Sequence, residues 1–218
     1  MTQAEIILQT RAFLKDKFST ESSGHDYWHM YRTWKVAKHI AANEPDADTF
    51  TVELAALLHD IADWKFHNGD EEAGPRAARE WLESLEVGND VIEHIEDIIR
   101  NVSFKGANVE TKLKTIEGKI VHDADKLDAI GAIGIGRTFA YGGAKGRPMH
   151  DPNQSAEQHN TFEAYKNSNS PTINHFYEKL LLLKDRMFTK TGKELAQHRH
   201  EVMEQFLKEF LEEWEGKR

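Results

Sequence analysis

Apolar residues recur along this chain at helical spacing and almost nowhere with the alternation of strands. Ile6, Ile7, Phe13, Leu14 and Phe18 mark an amphipathic helix over 3–18, followed by a polar break from Ser19 to Gly24. A second helix is predicted from about Asp26 to Asn43, with Pro45 to Asp48 as the next turn. Residues 54–65 then place Leu54, Leu57, Leu58 and Ile61 at i, i+3, i+4 and i+7, one stripe of a central helix. Phe66 to Gly69 is a loop. Helices follow over about 70–85 and 90–102, separated by Gly88-Asn89, and Pro75 is either tolerated in the first turns or marks a late start. After a loop from Lys105 to Thr111, one long helix is expected from about Thr115 to Phe139. Residues 142–155, rich in Gly, Pro, Asn and Asp, read as a loop long enough to be functional. Helices over 172–188 and 191–214 close the chain. The fold class expected is all-α, in a single domain spanning 1–218.

Composition narrows the chemistry. The chain has 218 residues and no cysteine, which removes disulfide, zinc-thiolate and thiol-nucleophile readings. Its net charge of −9 argues against a binder of nucleic-acid polymers, because phosphate backbones are held by clustered Lys and Arg. No apolar run approaches the length of a membrane span, and Met1 to Glu5 lacks the basic and apolar regions of a signal peptide. The expected setting is the cytoplasm, with no membrane partner.

The central helix changes the picture further. On a helical wheel His59, Asp60 and Asp63 lie opposite the leucine stripe, flanked by Ala55, Ala56 and Ala62 rather than by Lys and Glu. Small neighbours allow close approach of another helix, so the imidazole and carboxylates are expected inside. A buried carboxylate is costly unless it is paired or bound to a metal. An adjacent His-Asp pair alone means little, since the chain has four: His25-Asp26, His59-Asp60, His122-Asp123 and His150-Asp151. The signal strengthens when His29, at the start of the second helix, and Asp125, opposite the stripe of Ile116, Ile120, Leu127 and Ile130, are added. Two imidazoles and two carboxylates form a mixed set suited to Mn, Fe, Co, Ni or Zn, with weaker Mg binding. Asp123 sits nearer the apolar stripe and is an awkward ligand.

His29…His59-Asp60…Asp125 resembles the H…HD…D signature of the HD-domain superfamily of metal-dependent phosphohydrolases. The segments 25–32, 57–63 and 123–129 are similar to that family's ligand-bearing helices, over a core of about 20–145. Asp63-Trp64-Lys65-Phe66, Arg137 to Gly143 and Gln197-His198-Arg199-His200 extend the likeness to a small bacterial YpgQ-like or YedJ-like subgroup. The resemblance implies an HD helical bundle carrying two further C-terminal helices over 172–214. It also implies one divalent metal, with Mn favoured, and a small-molecule nucleotide as substrate. The implied activity is hydrolysis of (d)NTPs to (d)NMPs and pyrophosphate by a metal-activated water. A nucleoside monophosphate phosphatase and a non-catalytic nucleotide-binding regulator with the same fold are the alternatives, and a homodimer is allowed.

Roles for individual residues follow from chemistry and position. His29, His59, Asp60 and Asp125 are the expected metal ligands. Asp63, one turn after His59, is either a general base or a carboxylate that only orients a ligand imidazole. His25 shares a face with His29 and is read as a phosphate or leaving-group contact, or else as a capping histidine. Lys65, Lys126 and Arg32 are candidate phosphate contacts; each is equally read as a surface cation. Tyr141 is read as a loop aromatic able to cover a base, or else as packing; that His175, Tyr177 and Lys179 face the pocket from a closing helix is implied by the subgroup resemblance, not by periodicity. Asp128 is expected to support Asp125, Gly131 to Gly136 to serve close helix packing, and His198 and His200 to lie on the surface. A two-iron oxygenase needs extra histidines between Asp60 and Asp125; His67, His94 and His122 are there, but His122 is only three residues before Asp125.

Overall fold

At several helix starts in this chain a side chain takes one of the first backbone N–H groups, which no intrahelical carbonyl reaches. The computed structural model describes residues 1–19, 26–62, 70–102, 113–157 and 170–217, and among these it contains helices and no strand. Two compact units divide the chain: Met1–Phe104 with Glu110–Asp125, and Lys105–Val109 with Lys126–Arg218.

The first unit holds α1 (Gln3–Lys17), α2 (Tyr27–Ala41), α3 (Thr49–Leu58), α4 (Ala73–Ser84), α5 (Asn89–Val102) and most of α6 (Ile116–Asp128). Thr2 and Glu5 close a reciprocal capping box at α1, Asp26 caps α2, and Asp48 caps α3. Helix α3 packs against α1, α2 and α5. Every residue from Thr51 to Leu58 is buried, as its alanine-lined second face predicts. The acid within it, Glu53, is paired: Trp34 Nε1 donates to it at 2.7 Å and Lys38 Nζ lies 3.3 Å away. Arg79 of α4 grips Glu96 of α5 with two N–H groups at 2.9 and 2.5 Å, the fork geometry that suits a carboxylate.

The second unit holds α7 (Gly131–Ala144), α8 (Asn174–Glu178), a 3-10 segment (Leu180–Arg186) and α9 (Lys190–Trp214). Helix α9 lies on α7 and on the 3-10 segment. Buried Phe176 and half-buried Phe139, Phe206 and Phe210 cluster in this unit, with ring centroids 5.8 to 6.2 Å apart, the spacing of attractive aromatic pairs. Among the described residues no helix is long and apolar enough to cross a membrane.

Several expected boundaries move. The central helix stops at Leu58, with His59 at its C-cap and Asp60 to Ala62 in the following turn, rather than running to residue 65. Helix α4 starts at Ala73, so Pro75 sits in the first turn where its missing N–H costs nothing. The single helix expected over 115–139 is two. Arg137 donates to the carbonyl and, at 2.6 Å, to the carboxylate of Asp128; Arg199 donates to the carbonyl of Leu127. These donors satisfy carbonyls that helix continuation would have used, and Gly131 at φ 74 turns the chain. The glycine run therefore opens with a break. Helix α7 then runs through Tyr141 to Ala144, so the loop predicted from 142 begins later, and Tyr141 is helical rather than in a loop. Gly142 belongs in that helix because a Cβ there would run into Thr172 Oγ1. The helix expected over 172–188 is interrupted at Lys179 (φ −144, ψ −55) and continues as a 3-10 segment. Leu180 and Leu183 are its buried residues, a spacing of three that matches the 3-10 turn. His200 is buried rather than on the surface, its Nε2 3.2 Å from Glu204 Oε1; His198 is exposed.

Candidate metal centre

Three helices of the first unit deliver the cluster. His29 occupies the first turn of α2, where Asp26 accepts its backbone N–H at 2.9 Å and so fixes that turn. His59 sits at the end of α3. Its Nδ1 lies 2.8 Å from the carbonyl of Ala56, one turn back, which assigns the ring proton to Nδ1 and leaves the Nε2 lone pair pointing away. Asp60 is the next residue, and Asp125 comes from the last turns of α6.

These side chains converge. His29 Nε2 lies 3.2 Å from His59 Nε2, 3.5 Å from Asp60 Oδ2 and 3.5 Å from Asp125 Oδ1. His59 Nε2 lies 3.7 Å from both Asp60 Oδ2 and Asp125 Oδ1. Among the described residues, His29, His59 and Asp125 form a group whose ligand atoms all lie within 4.8 Å of one another, close enough to hold a metal ion. The imidazole side chains are 2% and 3% exposed, whereas the carboxylates of Asp60 and Asp125 are 15% and 23% exposed. Solvent therefore reaches the cluster at its acidic groups.

The donor chemistry fits a divalent cation. Two neutral imidazole nitrogens at 3.2 Å repel unless a proton or a cation stands between them. Burial pulls the pKa of His59 down, but Asp60 and Asp125 outweigh it and leave the group raised above its ordinary value. The same field that would hold a proton at Nε2 favours a metal ion there. The two imidazole nitrogens and the carboxylate of this group match first-row divalent metals rather than the all-oxygen shell of calcium.

Other sequence candidates fall elsewhere. His25, Asp63 and Lys65 lie outside the described residues, as does His67. Arg32 is half-buried on α2, and Lys126 is buried on α6. Tyr141 is exposed on α7, with the Lys145 and Arg147 cations each 5.7 Å from its ring centre. His175 is half-buried; burial, then Lys179 and Arg147, push its pKa down to about 3, so it is a neutral imidazole. Asp123 is buried, its Oδ1 3.3 Å from His122 Nδ1, and it is not in the His29 group. Asp128 holds Arg137. His94 bonds Thr115 Oγ1 at 3.0 Å and lies 3.7 Å from Glu117, so neither His94 nor His122 joins the His29 group.

Sequence reasoning passed over three contributors: Asp26, Ala56 and Arg147. An Asp directly before a helical run was a readable cap signal. A carbonyl acceptor and a loop arginine leave no pattern of their own.

Residues 27–130 match the HD domain family. The Bacillus subtilis protein YpgQ is 37% identical over 217 residues, 99% of this chain and 96% of that protein. A crystal structure of an HD-superfamily hydrolase from Bacillus thuringiensis is similar at 44% identity and a TM-score of 0.77, over 98% of this chain and 99% of the other. The crystal structure of Bacillus subtilis YpgQ in complex with ADP is similar at 36% identity and a TM-score of 0.73, over 95% and 96% of the two chains.

Proposed function

We propose that this chain, which belongs to the HD-domain family, is a metal-dependent phosphohydrolase that converts (d)NTPs to (d)NMPs and pyrophosphate. The observation that carries this reading is the group formed by His29, His59 and Asp125, with the Asp60 carboxylate 3.5 Å from His29 Nε2 and 3.7 Å from His59 Nε2. The ADP complex of YpgQ supports a nucleotide as the ligand. The near-complete coverage of both chains supports treating residues 1–218 as one HD-type domain. The cytoplasm is the setting proposed with it.

His29, His59, Asp60 and Asp125 would hold one divalent ion, with Mn favoured and Mg, Fe, Co, Ni or Zn compatible. Such an ion lowers the pKa of water and neutralises charge developing on phosphoryl oxygens. The Ala56 carbonyl holds the His59 ring in the tautomer that can donate to it. Water adds to the α-phosphorus, the bond to the bridging oxygen of the pyrophosphate breaks, and one proton is released. Asp63 is the proposed proton acceptor and His25 the proposed contact to phosphate or leaving group. Arg32, Lys65, Lys126 and Lys179 are proposed phosphate contacts. His175, being neutral, would contribute a hydrogen bond rather than a charge.

Chromatographic analysis of products from NTPs, dNTPs and NMPs incubated with Mn²⁺ tests the reading. Equimolar monophosphate and pyrophosphate, lost on chelation, is the expected result. Orthophosphate released from monophosphates would identify a monophosphatase instead, and no turnover of any nucleotide would leave a binding protein.

A further inference from the structure

The first turn of α2 alternates sharply in exposure. Tyr27, His29 and Met30 are buried, yet Trp28 between them is 54% exposed. A large indole left half in water offers a flat apolar face on which a ligand can stack. Its ring is held in place: Tyr27 meets it edge-on at 5.2 Å and 63°, and Tyr31 at 5.8 Å and 83°. An aromatic surface fixed in advance costs little ordering when something stacks on it.

Helical spacing orders the neighbouring chemistry. Arg32 is three residues after His29 and four after Trp28, so it adjoins both on the helix surface. Metal-ligand candidate, cation and exposed indole thus follow one another across a single turn of α2. Trp28 adjoins His29 in sequence, so a nucleotide whose phosphates reached the metal-binding group from its acidic, solvent-reached side would have its base within a few ångströms of this turn.

We propose that Trp28 is the stacking platform for the nucleobase, an assignment that rests on the nucleotide-hydrolase reading above. Stacking on an indole uses the π-face that every base has, and no hydrogen-bond code. The site should therefore accept purine and pyrimidine triphosphates with modest preference.

The test compares ADP with inorganic tripolyphosphate, which has no base, as ligands of the full-length protein in Mn²⁺ by calorimetry. Trp28→Ala should weaken ADP about tenfold, the scale of one stacked base, and change tripolyphosphate less than twofold. Trp28→Phe should recover most of the ADP affinity. Unchanged ADP binding in Trp28→Ala overturns the proposal, as does an equal loss for both ligands, which marks a structural or oligomer-contact residue. A wild-type protein that binds tripolyphosphate but not ADP contradicts the nucleotide reading itself, and the platform falls with it.

Discussion

Glu117, near the start of α6, accepts a hydrogen bond of 2.9 Å from the backbone N–H of Asp48, the residue that caps α3. One carboxylate therefore ties the start of α3, the helix that ends at His59, to α6, which carries Asp125. Its second oxygen lies 3.7 Å from His94, which also bonds Thr115 beside the same helix start. Glu117→Ala leaves a backbone donor without its acceptor, so a stability loss of about 1–3 kcal/mol is expected in urea unfolding. Mn²⁺ affinity should fall as well, while Glu117→Gln, which keeps an acceptor oxygen, should stay near wild type. Wild-type metal affinity in the alanine variant would show that this link does not govern the cluster.

His175 gives the protein an acid-sensitive element. Its folded-state pKa is depressed to about 3 by burial and by Lys179 and Arg147, against an ordinary value of 6.5. Between those values the unfolded chain binds a proton that the folded chain does not. Stability attributable to this group is therefore intact above pH 6.5 and declines as pH falls toward 3. Urea midpoints measured from pH 7 to pH 4 should drop more steeply for the wild type than for His175→Gln. Equal slopes would mean that the imidazole is protonated in the native protein.

Two glycines of the same stretch should respond to alanine in opposite directions. Gly131 has φ 74, and a Cβ there would lie 2.9 Å from the Cβ and Cγ of Arg199, whose guanidinium caps the Leu127 carbonyl. Gly131→Ala should cost at least about 1–2 kcal/mol from the left-handed backbone alone. Gly136 is helical, and a Cβ there meets nothing within 4 Å, so Gly136→Ala should gain up to about 1 kcal/mol. Thermal midpoints of the two variants check both signs.

What the sequence made legible is what periodicity and charge burial control. Helix α3 advertised itself through leucines on one side and alanines on the other; those alanines implied that His59 and Asp60 lay inside, and His59 is buried while Asp60 is part-exposed. The phase of Asp125 against Ile116, Ile120 and Leu127 put it on the correct side of α6. The sequence was silent where distant residues decide. Apolar spacing runs unbroken through residues 127–135, and the helix ends there because Arg137 and Arg199, from later in the chain, claim its last carbonyls. The interruption at Lys179 separates two locally plausible helical runs. His200 looked like a surface residue because its burial depends on what covers that face of α9.

The most direct measurement is Mn²⁺ stoichiometry by equilibrium dialysis, on wild type, His59→Ala and Asp125→Ala, with circular dichroism to confirm retained helix. One saturable ion per chain in the wild type, lost in both variants together with nucleotide hydrolysis, is the result predicted. Absence of saturable binding in the wild type, or full binding and turnover in either variant, would contradict a metal held by His29, His59, Asp60 and Asp125.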